Sequence, residues 1–176
     1  MNLPNKLTFM RILLVPVFVI LMYLGYNYRM AALIVFLVAS FTDFLDGYLA
    51  RKNNLVTNFG KFADPLADKI LTVSALIMFC EMGIIKAWML IIIVAREFAV
   101  TGLRVIAASE NLTIAADKLG KIKTATQMVA IILILTNLEK LFMPGLILFY
   151  ISLFFTVLSG INYFYKNIHV LDLKNI

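Results

Sequence analysis

Six apolar stretches, at about residues 7–25, 30–50, 65–80, 86–108, 124–138 and 146–165, divide this chain, and the charges that interrupt them collect at one end of the stretches. A helix crossing a bilayer core needs about 20 apolar residues. The uncharged runs in the middle stretches, 30–42, 70–80 and 87–95, are shorter than that. Charged side chains must therefore enter the membrane, where ionisable groups face a bundle interior, a water-filled cavity or a partner charge. The interruptions from Asp43 to Lys69 and from Arg96 to Lys123 all fall on one side, so they are expected to line one cavity. The implied architecture is all-α: a polytopic integral membrane bundle of six transmembrane helices with a polar cavity facing the cytoplasm, folded as a single domain over 1–176.

Composition agrees, because 62% of the residues are hydrophobic and 15% are charged, more apolar surface than a soluble domain of this size can bury. Six crossings return both termini to one side. Arg29, Lys86 and Lys140 fall on the other side, Arg96 lies inside a stretch, and the remaining Lys and Arg residues share the side of the termini. The positive-inside rule makes that side cytoplasmic. The formal charge of +6 is accounted for by topogenic residues and by attraction to anionic headgroups, which argues against nucleic acid as a partner. Lys6 and Arg11 come before an apolar run in the first stretch, but no small-residue cleavage site follows, so that stretch is expected to stay in place. Cys80 lies in an apolar run and reads as a core thiol. His169, in a polar tail, offers no Ser/His or Cys/His pair.

Near the end of the second stretch come Asp43, Asp46, Gly47, Ala50 and Arg51, and after eight residues come Gly60, Asp64 and Asp68. Spacings of three and four put 43, 46, 47 and 50 on one helical face and 60, 64 and 68 on another. Two adjacent antiparallel helices can thus turn four carboxylates toward each other. Four carboxylates at membrane depth do not all stay ionised without compensating positive charge. Oxygen-only ligation with no His or Cys points to two hard divalent cations, Mg²⁺ or Mn²⁺. Such a pair suits in-line displacement at phosphorus. Salt bridging of the aspartates to nearby Lys and Arg is the plainer alternative, and helix packing would equally use Gly47, Ala50 and Gly60.

This pattern, D-x2-D-G-x2-A-R-x8-G-x3-D-x3-D, matches the signature of the CDP-alcohol phosphatidyltransferase family at every fixed position, and the chain resembles that family over almost its whole length. The resemblance implies six spans, with the signature bridging the second and third. It implies that Asp43 and Asp64 bridge two metals, that Asp46 holds one and Asp68 the other, and that Asp68 is also the general base. Gly47, Ala50 and Gly60 resemble positions where the nucleotide of CDP-diacylglycerol approaches the helices, and Arg51 resembles a diphosphate ligand. Asn5, Thr8 and Thr57 resemble further CDP contacts. A homodimer in the bacterial inner membrane is the expected state.

A second polar group, Arg96, Glu97, Arg104, Lys121 and Lys123, lies on the fourth stretch and ahead of the fifth. An uncharged acceptor alcohol does not need cations beside a metal site, whereas a phosphate does. Arg96, Arg104, Lys121 and Lys123 are therefore candidate ligands of the acceptor phosphate. The segments Ala95 to Arg104, Lys118 to Thr124 and Asn2 to Thr8 resemble the branch of the family that takes glycerol 3-phosphate and makes phosphatidylglycerophosphate. Inositol phosphate or serine as acceptor, and a cation transporter using the carboxylates as a translocation site, are the alternatives.

Overall fold

A computed structural model describes residues 3–52, 58–109, 112, 114 and 117–170, and all of their side chains except those of 3–6, 43–52, 58–65, 68 and 169. Among the described residues there are six α-helices and no strand. They are α1 (Leu3–Tyr23), α2 (Arg29–Lys52), α3 (Asn58–Glu81), α4 (Ala87–Ser109), α5 (Lys118–Leu135) and α6 (Glu139–Asn167), with single 3-10 turns at Tyr26–Tyr28 and Ile168–Val170. Each apolar stretch becomes one helix, but α3, α5 and α6 begin earlier than hydropathy suggests, ahead of Pro65, Thr124 and Leu146. Hydropathy marks the part of a helix that suits hydrocarbon, whereas the polar first turns continue the same hydrogen-bond ladder outside it.

Turns at one end are tight and specified by residue type. Gly83 closes α3 with φ 71°, its N–H donating to the Cys80 carbonyl at 3.0 Å while the Ile84 N–H reaches the Phe79 carbonyl at 2.9 Å. These paired bonds form a Schellman ending, which needs the left-handed residue that glycine supplies. After α5 the same role falls to Asn137, at φ 59°. Its Oδ1 accepts from Arg29 Nη1 at 2.9 Å, which ties the start of α2 to the α5–α6 turn. Tyr23 OH donates to Glu81 Oε2 at 2.6 Å, joining α1 to α3 at this same end.

Inside the bundle, the buried positions of each helix follow steps of three and four. On α1 they are Thr8, Arg11, Val15, Phe18 and Met22; on α6 they are Gly145, Phe149, Ser152, Thr156, Ser159 and Tyr163, with Leu153 beside them. The main core joins Phe18, Phe36, Leu76, Phe79, Ile131, Ile134 and Phe149 from α1, α2, α3, α5 and α6. Helices α5 and α6 approach closely at Gly145, where an added Cβ would lie 2.9 Å from Ile134 Cγ1 and 3.2 Å from its backbone nitrogen.

Two features of this bundle bear on its solvent. Helix α6 is long and apolar enough to cross a membrane, and Leu7–Tyr23 and Tyr26–Thr42 are shorter apolar helices. The outer surface is also apolar: Phe98 is 74% exposed, and Ile20, Ile34, Ile91, Ile147, Phe154 and Ile161 are exposed with it. Large exposed aliphatic and aromatic side chains spread over several helices suit contact with lipid rather than water.

Candidate active site

Along each inner stripe the chemistry changes from one end to the other. Residues Val15, Phe18 and Met22 of α1 give way to Thr8 and Arg11, Ala130, Ile131 and Ile134 of α5 to Gln127 and Lys123, and Phe149 of α6 to Thr156, Ser159 and Tyr163. Because neighbouring helices run in opposite directions, the N-terminal halves of α1, α3 and α5 meet the C-terminal halves of α2, α4 and α6. The polar parts therefore share one end of the bundle.

That end holds an open cavity of about 570 Å³, lined by Lys69 of α3, by Arg96, Glu97, Thr101 and Arg104 of α4, by Asp117, Gly120 and Lys121 at the start of α5, and by Tyr163 of α6. A narrow pocket of about 50 Å³ shares Lys69, Glu97, Thr124 and Met128 with it and is also lined by Lys123 and Gln127. Three of the four sequence-derived acceptor ligands, Arg96, Arg104 and Lys121, thus line one cavity. The fourth, Lys123, adjoins it through Glu97.

Glu97 is the hub. Its Oε1 accepts from Lys123 Nζ at 2.8 Å and from Arg96 Nη1 at 3.0 Å, and its Oε2 lies 3.6 Å from Lys69 Nζ. Lys69 also donates to Thr101 Oγ1. One carboxylate thus gathers cations from three helices, and charge-assisted bonds of this kind hold their donors in fixed directions.

Helix α6 holds the arginines from the other side. Arg96 Nη2 donates to Ser159 Oγ at 3.1 Å, and Arg104 Nε donates to Tyr163 OH at 2.9 Å. The Arg104 guanidinium also lies over the Tyr163 ring, 5.4 Å from its centroid, a cation–π arrangement. Asn162 Nδ2 donates to Asp117 Oδ2 at 2.6 Å, and Lys166 lies 3.8 Å from the same carboxylate.

Sequence reasoning missed several of these groups. Lys69, inside the run of charges expected to share a cavity but given no role there, lines it, and Arg11, counted as topogenic charge, is fully buried on the α1 stripe. Lys123, an acceptor-ligand candidate from the sequence, is 5% exposed and points inward, toward Glu97. Ser159 and Tyr163 lay inside a stretch whose apolarity hid them, although Ser152, Thr156, Ser159 and Tyr163 stand four, three and four apart. Thr8 is fully buried on the inner face of α1.

The side chains of Asn5, Asp43, Asp46, Gly47, Ala50, Arg51, Gly60, Asp64 and Asp68, and the whole of Thr57, lie outside the described residues. Backbone register still bears on whether the four aspartates suit a metal. Steps of three and four carry the buried α2 positions 32, 36 and 39 on to 43, 46 and 50, and lead from α3 positions 64 and 68 to buried Leu71 and Ala75. The two helices pack against each other. The oxygen-only donor set of these four aspartates is of the kind that hard divalent cations take. Among the described residues no group of three or more His, Cys, Asp or Glu is placed to hold a metal ion.

A helical bundle with an apolar exterior and a cationic cavity at one end defines a class: a protein that handles an anionic substrate beside lipid. The matching family model is CDP-alcohol phosphatidyltransferase, over residues 1–158, and the chain belongs to this family. It is similar to the CDP-diacylglycerol--glycerol-3-phosphate 3-phosphatidyltransferase of Bacillus subtilis (strain 168), with 47% identity over 99% of each chain. The protein of the same name from Rickettsia typhi is 41% identical, covering 93% of this chain and 95% of its own length. A third, from Pseudomonas fluorescens, is 41% identical over 78% of this chain and 73% of its own.

Proposed function

We propose that this chain crosses a bacterial cell membrane with all six helices, both termini cytoplasmic, and transfers the phosphatidyl group of CDP-diacylglycerol to sn-glycerol 3-phosphate, giving phosphatidylglycerophosphate and CMP. The observation that carries this reading is the convergence of Lys69, Arg96, Arg104 and Lys121 on one cavity, at the bundle end where α2 and α3 bear the signature aspartates. Cations so placed suit a dianionic acceptor and would repel a passing metal ion, which disfavours the transporter alternative. Relatives named for this activity match almost the whole chain.

The chemistry follows from the residues. Arg96, Arg104, Lys121 and Lys123 bind the acceptor's phosphate and aim its 1-hydroxyl. That oxygen attacks the lipid-side phosphorus, the bond from this phosphorus to the CMP oxygen breaks, and CMP leaves with the electron pair. The hydroxyl proton passes to Asp68. Arg51 holds the diphosphate, Gly47, Ala50 and Gly60 make room for the CDP moiety, and Asn5, Thr8 and Thr57 contact it. The family uses divalent metal ions. In this chain Asp43, Asp46, Asp64 and Asp68 would hold two of them, Mg²⁺ or Mn²⁺, which when bound draw charge off the diphosphate oxygens. Acyl chains remain in lipid beside the apolar exterior, and the protein works as a homodimer.

Release of CMP by the purified protein tests the assignment, with Mg²⁺ or Mn²⁺ and with sn-glycerol 3-phosphate, inositol phosphate, serine or no acceptor. Release that requires glycerol 3-phosphate is expected. Release with another acceptor keeps the family and overturns the branch, and no release under any condition overturns the transferase reading.

A further inference from the structure

The acceptor cations do not set their own directions. Arg96 is held from several sides: Glu97 accepts from Nη1 and Ser159 from Nη2, a Cβ at Gly160 would lie 3.1 Å from its Cγ, and one at Gly120 would lie 3.3 Å from Nη2. Arg104, two helical turns further along α4, has its Nε on the Tyr163 hydroxyl and its guanidinium over the Tyr163 ring. Ser159 and Tyr163 are four residues apart on α6 and are almost fully buried, at 0% and 2% exposure. Their spacing of one turn sets two posts on the same face.

We infer that Ser159 and Tyr163 are positioning residues for the acceptor, fixing Arg96 and Arg104 so that the phosphate meets two guanidinium groups already in place. The inference rests on the acceptor reading above. A long, flexible arginine loses rotamer freedom when it binds an anion. Arginines held beforehand lose less on binding, and the benefit falls on the acceptor step. Tyr163 plays two parts, since its hydroxyl occupies the Nε edge of Arg104 and leaves the Nη groups for a ligand, while its ring supports the guanidinium plane.

This arrangement separates the two substrates. CDP-diacylglycerol is assigned to α1, α2 and α3, whereas Ser159 and Tyr163 touch residues of α4 alone among these ligands. Loss of either hydroxyl therefore weakens the acceptor without weakening the lipid nucleotide.

The test is steady-state kinetics on purified Tyr163→Phe and Ser159→Ala in detergent, varying each substrate in turn, with thermal unfolding measured on the same samples. Tyr163→Phe is expected to raise KM for glycerol 3-phosphate about tenfold, the scale of one lost charge-assisted hydrogen bond. KM for CDP-diacylglycerol and kcat should stay within about twofold, and Ser159→Ala should act in the same direction and less strongly. An unchanged acceptor KM in both variants, or equal losses toward both substrates, overturns the inference. If one variant unfolds, the acceptor KM of the other decides. Wild-type protein that releases CMP with an acceptor other than glycerol 3-phosphate overturns the acceptor reading instead, whatever the variants do.

Discussion

At the end of the bundle where α1 meets α3 and α2 meets the α5–α6 turn, polar groups pair: Arg29 with Asn137, and Tyr23 with Glu81. At the other end Lys69, Arg96 and Lys123 crowd one carboxylate, Glu97, and Arg104 and Lys121 line the same cavity with Asp117. The first arrangement closes the helix connections and leaves little charge to spare. The second holds an excess of positive charge inside an apolar exterior, where it is less screened than at a surface. One end is built for its own stability, and the other keeps its cations for something that arrives.

The largest expected effect belongs to the signature. Asp68→Asn keeps the shape of the side chain and removes the proton acceptor, so kcat should fall roughly a thousandfold, the middle of the range for a lost general base. CDP-diacylglycerol binding, measured by protection against thermal unfolding, should persist. Near-normal turnover with intact metal binding would remove Asp68 from the base role and weaken the contrast between the two ends.

Next comes Glu97. In Glu97→Gln the cations of α3, α4 and α5 lose their common anion, and breaking a mostly buried charge cluster costs about 3 kcal/mol. The melting temperature should drop, and inorganic phosphate should restore part of it by supplying a substitute anion, with a smaller effect on the wild type. Equal responses to phosphate in both proteins would falsify the idea that these cations await an anion.

The two ends also differ in how far they could be read in advance. The apolar stripes are periodic, so each stretch became one helix, and the signature aspartates carry their spacing on their face. Charge sign alone placed Arg96, Arg104 and Lys121 together, because cations that interrupt apolar runs have few places to go. The partners of those cations were hidden. Ser159 and Tyr163 belong to α6, and no hydropathy profile tells an inward hydroxyl from an outward one. Lys69 had no role of its own in the sequence reading because a lysine near a helix end can snorkel as readily as it can turn inward. Direction depends on rotation of the helix about its axis, and packing sets that rotation at places such as Gly145.

Gly145 is therefore where the closed end can be disturbed without touching the cavity. A methyl group there would press on Ile134 Cγ1 and on its backbone nitrogen, and backbone cannot give way cheaply. Gly145→Ala should destabilise by about 2 kcal/mol, as overpacking does, read as a lower melting temperature. Both KM values should stay near wild type. A changed acceptor KM would mean that the α5–α6 crossing reaches the cavity, and that the two ends are one unit.

The smallest expected effect lies outside both ends, on the lipid face. Phe154 is on α6 but points away from the bundle, 64% exposed, whereas its neighbour Leu153 is 8% exposed. In water such a phenylalanine is a liability, and its loss would change solubility. In a bilayer the surrounding medium is as apolar as leucine, so burial supplies no drive and little depends on which apolar group stands there. Phe154→Leu should change stability in lipid by less than about 0.5 kcal/mol and leave activity unaltered. Phe154→Asp is the converse, adding about 3 kcal/mol to insertion if the site lies near the bilayer centre and lowering the amount of protein recovered in membranes. Equal membrane recovery of the two variants would show that the apolar exterior does not face lipid, and the charge excess at the cavity would then sit in water, where it is screened.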